Sequence, residues 1–234
     1  MQLESDPDAA WVANLAEVSL GRARRAIEAA QGERALFRHL ERMHREGGRS
    51  SYIEIDAPLE LYALVQLLRP THVVEVGVSS GVSSAYLLQA MARLEKGILH
   101  SVDRPKTEPR RPNSERSRNP SWALPPGRSS GWAVPFPLRK RWDLRLGDKR
   151  DVVPLLSAEL ERVDLFVYDV PHDEAQAGRE FATLNRRMRA GAVAIADHGP
   201  GGGMCTPLRR WAAARGATPI GRTGLGLYGF RCVD

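Results

Sequence analysis

Four aspartates in this chain each stand where an extended apolar run ends. Asp103 closes the run beginning at Gly97, and Asp148 follows Trp142–Leu146 and Gly147. Asp169 ends Val163–Tyr168, and Asp197 ends Ala192–Ala196. Two of the four have a histidine near them in sequence, His172 beyond Asp169 and His198 directly after Asp197. Carboxylates and imidazole together can hold a divalent cation, and an imidazole that titrates near neutrality can take a proton from a substrate. A fifth feature is the turn Gly77-Val78-Ser79-Ser80-Gly81, set between the β-branched run Val73-Val74-Glu75-Val76 and a helical pattern through Ala85, Leu87, Leu88 and Met91. A strand that turns through glycines into a helix presents backbone N–H groups at the positive end of the helix dipole, where nucleotide-like ligands bind.

These residues can act together only if the fold gathers them. The runs at Val73–Val76, Gly97–Asp103, Trp142–Leu146, Val163–Asp169 and Ala192–Asp197 read as five buried strands, with two short strands near Ala217–Gly221 and Leu225–Cys232. Helical patterns separate them, including one from Pro58 to Leu68 that Pro70 stops and one from about Asp173 to Met188. Such alternation predicts a doubly wound, mostly parallel seven-stranded α/β sheet, whose successive strand ends lie side by side at one edge. There Asp103, ending the second strand, suits the two hydroxyls of a ribose. Residues 1–50 carry helical periodicity from Asp8 to Arg45 and predict two helices that cap the sheet or pair with another subunit, which makes a homodimer one expectation. Residues 51–234 form the sheet domain, entered through an extended segment at Ser51–Asp56.

Residues 104–141 interrupt the pattern. This stretch is rich in Pro, Ser and Arg and holds ten basic residues against Glu108 and Glu115, so it exceeds the net charge of +6 carried by the whole chain. Trp122, Trp132 and Phe136 are interleaved among them. A segment of this length can serve as a lid over the ligand edge, as a surface for an anionic partner, or as a linker. A hydrophobic content of 42% and a charged content of 26% fit a soluble globular protein. The sequence contains no apolar run long enough to span a bilayer, and acids precede any apolar stretch at the N-terminus, so a cytoplasmic location is expected. The two cysteines, Cys205 and Cys232, read as free thiols.

Glu75-Val76-Gly77-Val78-Ser79-Ser80-Gly81-Val82-Ser83 resembles motif I of class I S-adenosylmethionine-dependent methyltransferases, in the G-x-x-x-G-x-S form of the catechol O-methyltransferase-like branch. The wording of YIEIDAPLELYALV and WDLRLGD is similar to the bacterial subgroup called methyltransferase family 24. The resemblance implies a Rossmann-like fold and O-methylation of a small-molecule hydroxyl, such as that of a natural product. It implies that Glu75, Gly77, Ser79, Gly81, Ser83, Asp103, Gly147, Asp148 and Asp169 bind S-adenosylmethionine. Asp169 and Asp197 match the two metal-binding aspartates of catechol-type enzymes, and His198 stands where their third ligand is an asparagine. His172 occupies the place of their lysine base, which makes His172 and Asp169 the expected catalytic pair. Two carboxylates and an imidazole would suit Mn²⁺, Fe²⁺ or Zn²⁺ better than Mg²⁺.

Other classes remain as alternatives. A nicotinamide dehydrogenase would share the strand–turn–helix unit and Asp103 but would show G-x-G-x-x-G, and it gives Asp169 and Asp197 no role. A nucleic-acid methyltransferase could use the basic insertion, although Asp-Val-Pro-His stands where amino methyltransferases carry an N-P-P-Y type motif. A non-catalytic scaffold could keep the same fold.

Overall fold

The computed structural model describes residues 6–46, 58–104, 124, 127–170, 174–196, 204–221 and 227–233. Among these, seven strands form one sheet: β1 (His72–Val76), β2 (Ile98–Asp103), β3 (Trp142–Leu146), β4 (Leu165–Tyr168), β5 (Val193–Ala196), β6 (Ile220–Gly221) and β7 (Tyr228–Arg231). Their spatial order is β3-β2-β1-β4-β5-β7-β6, with β7 antiparallel to its two neighbours and the first five strands parallel. The chain winds outward from β1 in both directions, so the sheet reverses its strand order between β1 and β4. That is where an open α/β sheet offers a crevice beyond its carboxyl ends.

Both faces are covered, which explains why β1, β4 and β5 are apolar runs apart from His72 at the start of β1 and Glu75 within it. One face carries α1 (Pro7–Ala16), α2 (Leu20–Gln31), α3 (Arg34–Glu46), α4 (Pro58–Leu68) and α5 (Val82–Leu94), whose apolar residues share one cluster with Val73, Leu99 and Leu165. The other carries α6 (Lys149–Glu159), α7 (Glu174–Asn185) and α8 (Thr206–Ala214), packed around Phe166, Phe181, Trp211 and Phe230. Among the described residues no helix is long and apolar enough to cross a membrane.

The N-terminal segment forms three helices, not the two expected from its periodicity. The break between α1 and α2 falls at Glu17, which takes the left-handed conformation (φ 52°, ψ 51°) at the C-cap of α1. That position usually calls for glycine, so nothing in the residue types announced it. The three helices cap the sheet. Trp11 Nε1 donates to the Ile220 carbonyl at 3.0 Å, and the apolar faces of α1 and α2 bury Trp11, Val12, Leu15 and Ile27.

Candidate cofactor site at the carboxyl edge of the sheet

The turn after β1 is built from backbone that most residues avoid. Gly77 (φ 101°), Ser79 (φ 48°) and Gly81 (φ 91°) all lie in the left-handed region. At Gly77 any side chain would overlap the Asp169 carbonyl oxygen. A Cβ on Gly81 would come within 2.6 Å of Val134 Cγ2 and 2.9 Å of Gly131 Cα. Ser79 has no such licence and bears a cost of about 1 kcal/mol for its conformation. Two bonds hold it there: its amide donates to Asp103 Oδ2 at 3.2 Å, and its carbonyl accepts from the Gly131 amide at 2.8 Å.

Beneath the turn lies Glu75, only 1% exposed. Its carboxylate accepts the hydroxyls of Ser83 (2.6 Å), Ser84 (2.6 Å) and Ser101 (2.7 Å), tying β1 to the first turn of α5 and to β2. Burial pushes this carboxyl above the ordinary glutamate range, against the three hydroxyls that pull it down. Glu75, expected among the cofactor-binding residues, is bonded here to serines of its own domain. Both of its oxygens are occupied, and it acts one layer below the turn. The Ser83 hydroxyl is likewise directed inward.

The neighbouring strand ends are stitched in register. Gly77 N donates to the Val102 carbonyl, Gly147 N to the Asp103 carbonyl and Asp169 N to the Val76 carbonyl, each at 2.9 Å. Gly77, Asp103, Gly147 and Asp169 therefore share one edge, as the strand pattern predicted. Asp148 serves there as the N-cap of α6, accepting from the Arg150 amide at 3.0 Å. It also receives the Arg150 guanidinium at 2.7 Å and Arg104 at 3.1 Å. The Arg150 guanidinium, and then its amide, hold the Asp148 carboxyl well below the usual range.

The part of the insertion adjoining β3 is a component of this site that periodicity did not reveal. Trp132, Ala133, Val134 and Leu138 are all buried, and Phe136–Arg141 forms a 3₁₀ helix leading into β3. The Ser130 hydroxyl donates to Asp103 Oδ2, and Ala133 N donates to the Ser80 carbonyl at 3.0 Å. From the other side α3 reaches the same place. His44 Nε2 lies 3.2 Å from Ser80 Oγ with its ring edge-on to Trp132, and His39 Nε2 lies 3.0 Å from the Ala133 carbonyl. Cap, insertion and glycine turn thus form one hydrogen-bonded unit.

Of the expected catalytic and metal-binding side chains, Asp169 follows β4 at the shared edge, while His172, Asp197 and His198 lie outside the described residues. So do most of the insertion and the Ser51–Asp56 segment. Among the described residues no three His, Cys, Asp or Glu side chains gather as a metal site would require. Ser130, Ser80 and His44 were missed by sequence reasoning. Their roles depend on contacts between distant segments, and no local spacing announces them.

A parallel sheet that reverses its order beside a left-handed glycine turn, with an acid ending the adjacent strand, defines a Rossmann-like class I nucleotide-cofactor fold. The chain belongs to the methyltransferase domain family, whose model matches residues 74–198, more than half of its length. Solved structures agree in fold. An O-methyltransferase from Bacillus cereus in complex with S-adenosylhomocysteine superposes with a TM-score of 0.58 at 18% identity, covering 84% of this chain and 90% of its own. TomG from Streptomyces achromogenes, an O-methyltransferase of tomaymycin synthesis bound to S-adenosylmethionine, gives 0.55 at 20% identity, with 86% and 89% covered. The S-adenosylhomocysteine-bound methyltransferase PaMTH1 of Podospora anserina gives 0.53 at 14% identity, with 86% and 88% covered. No curated protein matches the sequence.

Proposed function

We propose that this chain transfers the methyl group of S-adenosylmethionine to a hydroxyl oxygen of a small-molecule acceptor. The observation that carries the reading is Asp103. Its carboxylate ends β2 beside the left-handed turn, with Oδ2 fixed by an amide and a hydroxyl, in a chain of the methyltransferase family. The residues fit the cofactor. Gly77 and Gly81 carry no side chain, the N-terminus of α5 has no side-chain cap, and Asp103 offers a carboxylate to the ribose diol. When bound, the cofactor supplies a methyl carbon on a sulfonium, and the sulfur keeps the bonding electron pair as the methyl leaves.

The chain's own part is to bind, orient and deprotonate. His172 is the residue we assign to take the acceptor's proton as the oxygen attacks, and a neutral imidazole can do so near neutral pH. Asp169, Asp197 and His198 make up a donor set of two carboxylates and one imidazole, which would hold Mn²⁺, Fe²⁺ or Zn²⁺ and lower the acceptor's pKa. A natural-product acceptor is supported by the shared fold with TomG, and the arginines of the insertion suit an acceptor bearing a carboxylate or phosphate.

Calorimetric titration with S-adenosylhomocysteine tests the reading, first in EDTA and then with each metal added. The wild-type chain should bind, and Asp103→Ala should weaken binding by at least about tenfold, the order expected for hydrogen bonds to a charged group. Absence of wild-type binding would overturn the assignment. A gain on adding metal that vanishes in Asp197→Ala would place the ion at the proposed donor set.

A further inference from the structure

Asp103 and Ser130 are separated by most of the charged part of the insertion, yet the fold brings them into contact. The Ser130 side chain is 4% exposed and its hydroxyl donates to Asp103 Oδ2. The same oxygen accepts the Ser79 amide at 3.2 Å, and among the described residues no donor falls on Oδ1. A carboxylate held by two donors on one oxygen has its plane fixed and its second oxygen left for a ligand. We propose that Ser130 is a positioning residue of the cofactor site: it orients Asp103 so that Oδ1 meets the ribose hydroxyls. This rests on the cofactor reading above and adds a residue from outside the strand–turn–helix motif.

The surroundings of Ser130 suit that task, because the backbone carrying it is clamped from several directions. Gly131 N donates to the Ser79 carbonyl at 2.8 Å and Ala133 N to the Ser80 carbonyl at 3.0 Å. Within the segment, Trp132 N donates to the Ser129 carbonyl and Val134 N to the Gly131 carbonyl, each at 3.1 Å. The Arg139 guanidinium then donates to the Gly131 and Val134 carbonyls at 3.2 and 3.1 Å. Trp132 packs against His44, and Arg128 lies over the Trp132 ring. Ser130 is therefore delivered to Asp103 by a rigid turn that grips the same two residues, Ser79 and Ser80, that shape the glycine turn. A flexible surface serine would lose its rotamer freedom on each binding event. This one has lost it beforehand, which is how preorganisation raises affinity.

The test compares S-adenosylhomocysteine with its 2′-deoxyribose analogue by calorimetry, in the wild-type chain and in Ser130→Ala. The wild type should prefer the ribose ligand about tenfold or more, since a site built for a hydroxyl rejects the analogue lacking it. Ser130→Ala should weaken S-adenosylhomocysteine about tenfold. It should leave the deoxy analogue nearly unchanged, so the preference collapses. Equal weakening of both ligands would mark Ser130 as merely structural and overturn the proposal. Unchanged binding would overturn it too, and tighter binding would show that the hydroxyl competes with the ribose. If Ser130→Ala does not fold, Ser130→Cys, with a weak S–H donor in nearly the same volume, carries the same comparison. Failure of the wild-type chain to bind either ligand would be a failure of the cofactor reading itself, separable from these because it needs no variant.

Discussion

The two faces of the sheet combine packing and buried hydrogen bonds in different proportions. The face bearing α6, α7 and α8 is an aromatic stack: Phe166 meets Phe181 edge-on at 5.7 Å, Tyr168 meets Phe181 at 4.9 Å, and Trp211 meets Phe230 at 5.2 Å. Among the described residues that face holds one buried carboxylate, Glu180, which accepts from Tyr168 and Gln176 at 2.6 Å, whereas the face bearing α1 to α5 is pinned by two. Glu75 gathers three serines, and Glu33 gathers Tyr62, Gln89 and Arg93 at 2.7–3.0 Å. Nondirectional packing stabilises a layer without fixing any one atom. Hydrogen bonds to a buried carboxylate fix atoms, and the pinned face is the one that must place the glycine turn.

Removing the heart of the aromatic stack should produce the largest loss of stability. Phe181→Ala should cost about 3–5 kcal/mol in urea unfolding, while S-adenosylhomocysteine affinity of the folded fraction stays within a factor of about two. A large affinity loss would break the contrast between the faces. Glu75→Ala should cost less in stability, about 2–3 kcal/mol, because three buried hydroxyls lose their acceptor. It should nevertheless weaken the cofactor product at least about tenfold, since the turn above it loosens. The smallest effect is expected at the second hub. Glu33→Gln should cost about 1–2 kcal/mol at neutral pH and leave affinity alone.

The hubs also differ in pH response. The Arg93 guanidinium beside Glu33 lowers its carboxyl below the ordinary value of 4.5, so its contribution is present above that value and is lost as pH falls through the folded one. The Glu33→Gln deficit should accordingly shrink below about pH 4.5. Glu75 is raised by burial, so its contribution is full below 4.5 and declines as pH rises through its folded value. Glu75→Gln should abolish that decline. Unfolding curves collected from pH 3 to 8 would read both signs, and a shared sign would refute the distinction between the hubs.

All seven strands stood out in the sequence, because a sheet covered on both faces demands runs such as Val73–Val76 and Ala192–Ala196 that little else explains. The edge positions of Asp103, Gly147 and Asp169 followed from parallel register alone. The three serines around Glu75 were not legible, since an acid in a buried strand reads the same whether it faces a ligand or hydroxyls of its own domain. Ser130 and Trp132 were hidden because Pro- and Arg-rich sequence has no period, and their partners Asp103 and His44 lie far away along the chain. The break at Glu17 was hidden because a left-handed cap without glycine leaves no compositional mark.

The contact between Ser130 and Asp103 ties together two points that stand 27 residues apart in the chain. Closing a loop depends only weakly on how long it is, about 0.6 kcal/mol for each doubling. By that arithmetic the arginine-laden stretch between those two points is a cassette, whose length and wording can change at little thermodynamic cost without rebuilding the glycine turn that Asp103 and Ser130 brace.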